Sequence, residues 1–166
     1  DCVFLGMGFN RLESVDYKLE RELFFSGIGN VDYKIYGNGW PQGQMFGGIL
    51  PADDIGKLYS SAKTGLAIIA KGQRDHGMIN NRYVEMAYCG LPIVTYKYDI
   101  DWFGFDNYLY FTDSKSKTLE LVNELLLNKD EHIDNLNNAT EFVNKKTEEF
   151  YDKLFYSINS SYWGVK

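Results

Sequence analysis

The chain has 166 residues, 45% hydrophobic and 24% charged, which fits one domain and excludes disordered, collagen-like and coiled-coil classes. A chain of this length buries roughly 70% of its unfolded surface, so it needs no disulfide or metal to fold. The net charge of −6 and pI near 4.9 argue against a dedicated duplex-DNA binder, which needs clustered Lys and Arg. They leave room for one nucleotide, which needs only two or three well-placed donors.

In chain order, Cys2–Leu5 is a short apolar run ending in Gly6 and Gly8 and reads as a buried strand. Leu12 to Phe25 carries Leu12, Val15, Leu19 and Leu23 at helical spacing. Asp32–Tyr36 reads as a second strand, stopped by Gly37-Asn38-Gly39, and Gly48–Leu50 as a brief third. Pro51 to Asp54 opens a helix with Asp53 as its N-cap and Ile55, Leu58, Tyr59 and Ala62 as its buried stripe. Thr64–Ala70 is a fourth strand, apolar on both faces as central parallel strands are. A polar loop, Lys71–Ile79, leads to Asn80 or Asn81 as N-cap of a helix over Arg82–Cys89, with Gly90 at C′ and Pro92 blocking continuation. Pro92–Tyr96 and Tyr108–Phe111 are further strands, separated by an Asp- and aromatic-rich loop. Ser116–Leu127 is a helix, and a long last helix runs from Glu131 to about Phe155, carrying Ile133, Leu136, Val143, Phe150 and Leu154.

Alternating strands and helices with near-continuous apolar strands predict an α/β fold: a Rossmann-like, doubly wound parallel sheet of about six strands with a long C-terminal helix. Such sheets bind ligands beyond the carboxyl ends of their strands. That rule selects three loops: Gly6–Arg11, Gly37–Gly43 and Lys71–Arg82.

The two glycine pairs do not complete a dinucleotide fingerprint. Arg11 stands at the third-glycine position after Gly6 and Gly8, and Gln42 at that after Gly37 and Gly39. The glycines serve either tight turns needing positive φ or the close approach of a ligand to Gly8 and Gly39. Gly39-Trp40-Pro41 adds a rigid aromatic for a cleft wall. The stretch Gly72 to Arg82 is chemically the richest, with Arg74, His76, Gly77, Met78, Asn80, Asn81 and Arg82 between a buried strand and a helix N-terminus. The free N–H groups and dipole there favour an anion, and Arg74 or Arg82 can fork onto a diphosphate. A solvated loop with one capping Asn explains the same spacing. Glu85, one turn into the helix, can accept from two vicinal hydroxyls, as on a ribose, or simply act as an acid near the first turn.

Asp99-Ile100-Asp101 resembles the Asp-x-Asp metal motif of GT-A glycosyltransferases, but such pairs are common in loops and no metal is expected. His76 and His132 are the only histidines, too few for a His-rich metal site, and His132 reads as a surface residue. Cys2 and Cys89 are far apart and read as two reduced thiols rather than a chance disulfide, consistent with the cytoplasm. No segment approaches the ~20 apolar residues of a membrane span.

The residues Gln73 to Val94, with Asn81-Arg82-Tyr83-Val84-Glu85 followed by Cys89-Gly90-Leu91-Pro92, resemble the C-terminal donor-binding domain of GT-B glycosyltransferases, in particular the CgeB-like branch. The preceding Leu58 to Leu66 is similar too, and the similarity is specific over about Ile49–Tyr96. The resemblance implies that Glu85 contacts the donor ribose, that Asn80–Arg82 faces the donor diphosphate, and that Gly48–Leu50, with Ile49, lies where the base is read. It implies a nucleotide-diphospho-sugar donor, such as a UDP- or GDP-sugar, with no cofactor. Residues 1–166 then form one domain, the C-terminal half of a two-domain enzyme whose N-terminal domain holds the acceptor. The chain's start at Asp1 reads as that of a fragment, and any membrane association belongs to the missing part. Arg74, His76 and Arg82 are the candidates for stabilising the leaving diphosphate, with Gly8 and Arg11 also in the donor set. Two departures stand out: Gly77 occupies the place of a second glutamate eight residues before Glu85, and only Arg11 stands near the family's usual Arg and Lys pair. Other classes compatible with the sequence are a non-catalytic nucleotide-binding or regulatory α/β module and a structural interaction domain. A glycosyltransferase acting on nucleic-acid bases is a narrower variant, disfavoured by the acidic charge.

Overall fold

The apolar strand runs pair side by side into one parallel sheet. The computed structural model describes residues 1–6, 31–40 and 45–162, with the side chains of 129 and 148–162 outside the description. The strands are β1 (Cys2–Leu5), β2 (Tyr33–Tyr36), β3 (Phe46–Gly48), β4 (Thr64–Ala67), β5 (Ile93–Tyr96) and β6 (Tyr110–Thr112). Their order is β3-β2-β1-β4-β5-β6, and every pair among the described residues is parallel. This is the doubly wound order, which reverses direction between β1 and β4. The expected α/β sheet and long last helix are therefore present. The predicted helix Leu12–Phe25, and with it Gly8 and Arg11, lies outside the described residues.

The helices are α1 (Ile55–Ser61), α2 (Lys71–Arg74), α3 (Asn81–Tyr88), α4 (Lys115–Leu127) and α5 (Ile133–Tyr162). Register separates the two faces. Gly65, Ile93, Ala67 and Thr95 pair across β4 and β5 and so share a face. The Tyr83 and Thr95 hydroxyls meet at 2.6 Å, and a Cβ on Gly65 would collide with Met86, so α3 covers that face closely. On the opposite face Thr112 Oγ1 meets Thr118 Oγ1 of α4 at 2.9 Å. Val94, Leu125 and Val122 are fully buried there or beneath α4. β4 and the first three residues of β5 are buried on both faces, which explains why they read as unbroken apolar runs.

Several boundaries move. The third strand is Phe46–Gly48, not Gly48–Leu50: Ile35 N–H donates to Met45 O at 2.7 Å, and Gly48 at φ 99° turns the chain off the ladder. Asp53 does not cap α1. A 3-10 turn over Ala52–Asp54 precedes the helix, and Asp54 is held by Lys57 at 2.7 Å. β4 stops at Ala67, although Ile68 and Ile69 stay buried. β6 starts at Tyr110 because a 3-10 turn takes up Phe105–Tyr108. Another such turn, Lys129–His132, delays α5 to Ile133, which is exposed rather than buried. His132 is not a plain surface residue: its side chain is 17% exposed, its Nδ1 meets the Tyr110 hydroxyl at 3.0 Å, and its Nε2 lies 3.5 Å from Glu124. It ties the end of α4 to the start of β6. No helix among the described residues is long and apolar enough to cross a membrane.

Candidate functional site

All strands point the same way, so their carboxyl ends share one edge, and the loops after β1, β2, β3 and β4 leave from it. The first two close on each other. Gly6 N–H donates to Tyr36 O at 2.9 Å, and Gly37 N–H to Gly48 O at 3.0 Å. Gly37 has φ 129°, and a Cβ there would sit on the Gly6 carbonyl oxygen, so the glycine is required by a neighbouring backbone. Trp40 Nε1 donates to that same oxygen at 2.8 Å, and its ring meets Phe4 edge-on at 5.7 Å. Trp40 is thus a fixed wall at the end of β1. Gly39 (φ 81°) is exposed in the turn before it. Ile49 follows the kink at Gly48 and is 73% exposed, an apolar side chain standing in water at the sheet edge.

The segment after β4 is more ordered than a polar loop. Buried Ile68 and Ile69 deliver the chain to the one-turn helix α2, whose Lys71 pairs with Asp75 at 2.6 Å. That hydrogen bond holds the Asp75 carboxyl below its usual range. His76 Nδ1 lies 2.6 Å from Gly72 O. A carbonyl only accepts, so Nδ1 carries the proton and Nε2 faces outward as an acceptor unless the ring is charged. Gly77, at φ 64°, reverses the chain, and Met78 N–H returns to Gln73 O at 2.8 Å. Arg74 is half-buried, with its guanidinium 4.8 Å from the centroid of the Tyr98 ring on the β5–β6 connection.

Ile79, buried, anchors the entry to α3, and Asn80 is its N-cap, as one of the two expected residues. Asn80 is 7% exposed and its Oδ1 accepts from Arg82 N–H at 3.0 Å. Its oxygen therefore belongs to the helix. Asn81 is exposed and donates through Nδ2 to Glu85 Oε1 at 2.8 Å. Glu85 is half-buried. Burial pushes its carboxyl up, against the pull of the Arg82 charge and the Asn81 bond. Gly90, at φ 61°, ends the helix as its C′ residue.

The structure thus places Arg74, His76, Gly77, Met78, Asn80, Asn81, Arg82 and Glu85 on one continuous segment from β4 into α3. Gly39 and Ile49 stand at the neighbouring ends of β2 and β3, while Gly8 and Arg11 lie outside the described residues. Of the Asp99-Ile100-Asp101 pair, Asp101 accepts from Phe103 N–H at 2.8 Å and so supports a backbone turn. No group of three or more His, Cys, Asp or Glu able to hold a metal occurs among the described residues. Two tyrosines beside this segment were not singled out from sequence for a site role: Tyr98 under Arg74, and Tyr59, whose buried phenol is raised first by desolvation and then by the Glu85 charge. The available signal was a tyrosine in a buried helical stripe, since a phenolic hydroxyl seeks a partner there.

A family model described as glycosyl transferase-like matches residues 19–148, well over half of the chain. No curated protein sequence matches it. Among solved structures, the fold is similar to that of T4 phage β-glucosyltransferase, with TM-score 0.65 and 18% identity over 95% of this chain and 50% of that one. T4 phage BGT in complex with UDP and Mn2+ superposes with TM-score 0.67 and 17% identity, over 96% of this chain and 48% of that one. An S. aureus TarM variant in complex with Fondaparinux, α-GlcNAc-glycerol and UDP gives 0.55 and 16%, over 95% and 35%. The chain spans about half the length of the T4 phage proteins it matches.

Proposed function

Because the chain belongs to the glycosyl transferase-like family and has the fold of a GT-B glycosyltransferase domain, we propose that it is the donor-binding lobe of a sugar-transferring enzyme. The observation that carries this reading is the segment from α2 into α3. It sets a capped helix N-terminus, Arg82 and a half-buried carboxylate, Glu85, within two helical turns. A helix start favours an anion, and a carboxylate one turn further can take the two vicinal hydroxyls of a ribose. That is the chemistry of a nucleotide-diphospho-sugar such as a UDP- or GDP-sugar.

In the transfer step the bond from the anomeric carbon to the diphosphate oxygen breaks, and the electron pair leaves with the diphosphate. Arg74, His76, Arg82 and the N-terminus of α3 oppose that charge. The Arg74 guanidinium lies 4.8 Å from the Tyr98 ring centroid, and its N–H groups are of the kind that fork onto a phosphate. His76 contributes only with a second proton, on Nε2. Gly39, Ile49, Gly77 and Met78 line the approach to the base and sugar. The acceptor, and the base that takes its proton, belong to a second, N-terminal lobe of the full-length enzyme. This lobe by itself transfers little or nothing. No metal or cofactor enters the reading. The net charge of −6 argues against this lobe gripping duplex nucleic acid. We place the protein in the cytoplasm, with any membrane contact on the other lobe.

The test is amide NMR with UDP, GDP and their glucose or mannose conjugates. At least one should shift the signals of Asn80 to Glu85. Silence there with all of them would sink the donor-site assignment.

A further inference from the structure

Arg74 is tied to the start of α3 by two separate connections. The first is the backbone. Gly77 N–H donates to Arg74 O at 2.9 Å and Met78 N–H to Gln73 O at 2.8 Å, which brings the backbone of Arg74 back beside Met78, two residues before the Asn80 cap. The second is aromatic. The Arg74 guanidinium lies 4.8 Å from the centroid of the Tyr98 ring, inside the ~6 Å range in which a ring attracts a cation. Tyr98 is 8% exposed, and its carbonyl accepts from Trp102 Nε1 at 3.3 Å. The buried Trp102 ring meets Tyr83 of α3 edge-on at 5.6 Å and Phe111 of β6 at 5.7 Å. The Tyr83 hydroxyl in turn meets Thr95 Oγ1 of β5 at 2.6 Å. The support beneath Arg74 is therefore registered to the same helix that Asn80 caps. An arginine on a polar segment has many rotamers, and ordering it on a ligand costs binding energy. A guanidinium already resting on a buried ring has lost that freedom beforehand.

We infer that Tyr98 is a positioning residue for Arg74, its ring holding the guanidinium in register with the N-terminus of α3 so that both meet the diphosphate of the donor. The inference rests on the reading of this segment as the donor site. It assigns Tyr98 to the diphosphate and not to the base or the ribose.

The experiment measures by NMR titration the affinity for UDP, GDP, uridine and guanosine in the wild type, Arg74→Ala, Tyr98→Phe, Tyr98→Leu and the double variant of Arg74→Ala with Tyr98→Leu, with Tm on the same samples. The readout is the diphosphate gain: the ratio of the nucleoside Kd to the Kd of its diphosphate, for the base that binds more tightly. Arg74→Ala should lower the gain about tenfold, as loss of a hydrogen bond between charged groups does. Tyr98→Leu should lower it about fivefold and leave the nucleoside Kd unchanged, while Tyr98→Phe keeps the gain because the ring remains. In the Arg74→Ala background, Tyr98→Leu should lower it no further. A merely structural tyrosine would lower Tm and weaken nucleoside and diphosphate alike, which overturns the inference. An unchanged gain in either Arg74→Ala or Tyr98→Leu also overturns it, and the donor site then stands on Arg82 and Glu85 alone. A further measurement needs no change at position 98. In the wild type the δ-protons of Arg74, identified by their absence from Arg74→Ala, should carry a ring-current shift and keep it at saturating diphosphate. Loss of that shift on binding would mean that the guanidinium leaves the ring, and the positioning role falls. If the wild type binds neither UDP nor GDP, the donor-site reading fails and this one with it.

Discussion

The glycine turn at the ends of β1 and β2 and the polar segment leading into α3 both sit on the binding edge of the sheet, yet they use their residues in opposite ways. In the turn, Gly37 is glycine because the Gly6 carbonyl leaves no room for a Cβ, and Trp40 spends its N–H on that same carbonyl. Its special residues are consumed by the fold. In the polar segment only the scaffold is consumed: Asn80 caps the helix, Gly72 O holds His76, and Lys71 pairs with Asp75. Glu85 and Arg82 are left half-buried beside each other. Residues in the polar segment keep part of their bonding capacity: Glu85 gives one oxygen to Asn81, and His76 gives Nδ1 to Gly72 O and keeps Nε2.

The sharpest way to break this contrast is Gly37→Ala. It should cost on the order of 3 kcal/mol, a drop in Tm of about 6–12 °C for a chain of this size, read by thermal unfolding. A near-neutral result would mean that the turn is open and its glycines available to a ligand. Next in size, Arg82→Ala and Glu85→Ala should each weaken nucleotide binding by about tenfold or more, since hydrogen bonds to charged groups are worth about 1.5–3 kcal/mol. Calorimetric titration would show this, with Tm within about 2 °C of wild type.

Asn80 and Asn81 divide the two behaviours within one dipeptide. Asn80→Ala should lower stability by about 1 kcal/mol through loss of the cap, with Asn80→Asp restoring it. Asn81→Ala should instead lower nucleotide affinity a few-fold through Glu85 and leave stability nearly unchanged. A subtler sharpening comes from pH. The Glu85 carboxyl is raised in the folded chain, so its neutral form is favoured there. Its contribution to stability is fully present below the unfolded-state pKa and is lost as pH rises through the folded-state value. Glu85→Gln should therefore be at least as stable as wild type at pH 7. Wild-type nucleotide affinity should begin to fall on acidification above the ordinary carboxylate range, a fall that Glu85→Gln abolishes. The smallest expected effect is chemical. Burial pushes the Cys2 thiol up to about 12, so at pH 8 an alkylating reagent should label half-buried Cys89 and spare Cys2 until the chain unfolds.

Much of the fold could be read from local pattern. β1 and the Gly90 helix stop fall where the apolar runs and the glycine put them, and Asn80 was one of two expected caps. The errors cluster where a short apolar or polar run has no periodicity to arbitrate it. Ile49 and Leu50 look like a strand and stand outside the sheet. Lys71–Arg74 looks like loop and closes into a helical turn through the Lys71–Asp75 bridge. His132 was misread because its partners, Tyr110 and Glu124, come from two other elements.

By itself, the amino-acid sequence determined the class of fold and the segment that carries the chemistry. Apolar runs of strand length and a capped amphipathic helix are local facts, and the charged side chains between them can be counted in one dimension. Tertiary structure alone decided how each group is used. It set Tyr98 beneath Arg74, the Tyr110 hydroxyl against His132, and the Gly6 carbonyl against Gly37. Those pairings depend on which helix lies beside which and on strand register, and both follow from burying two sheet faces at once.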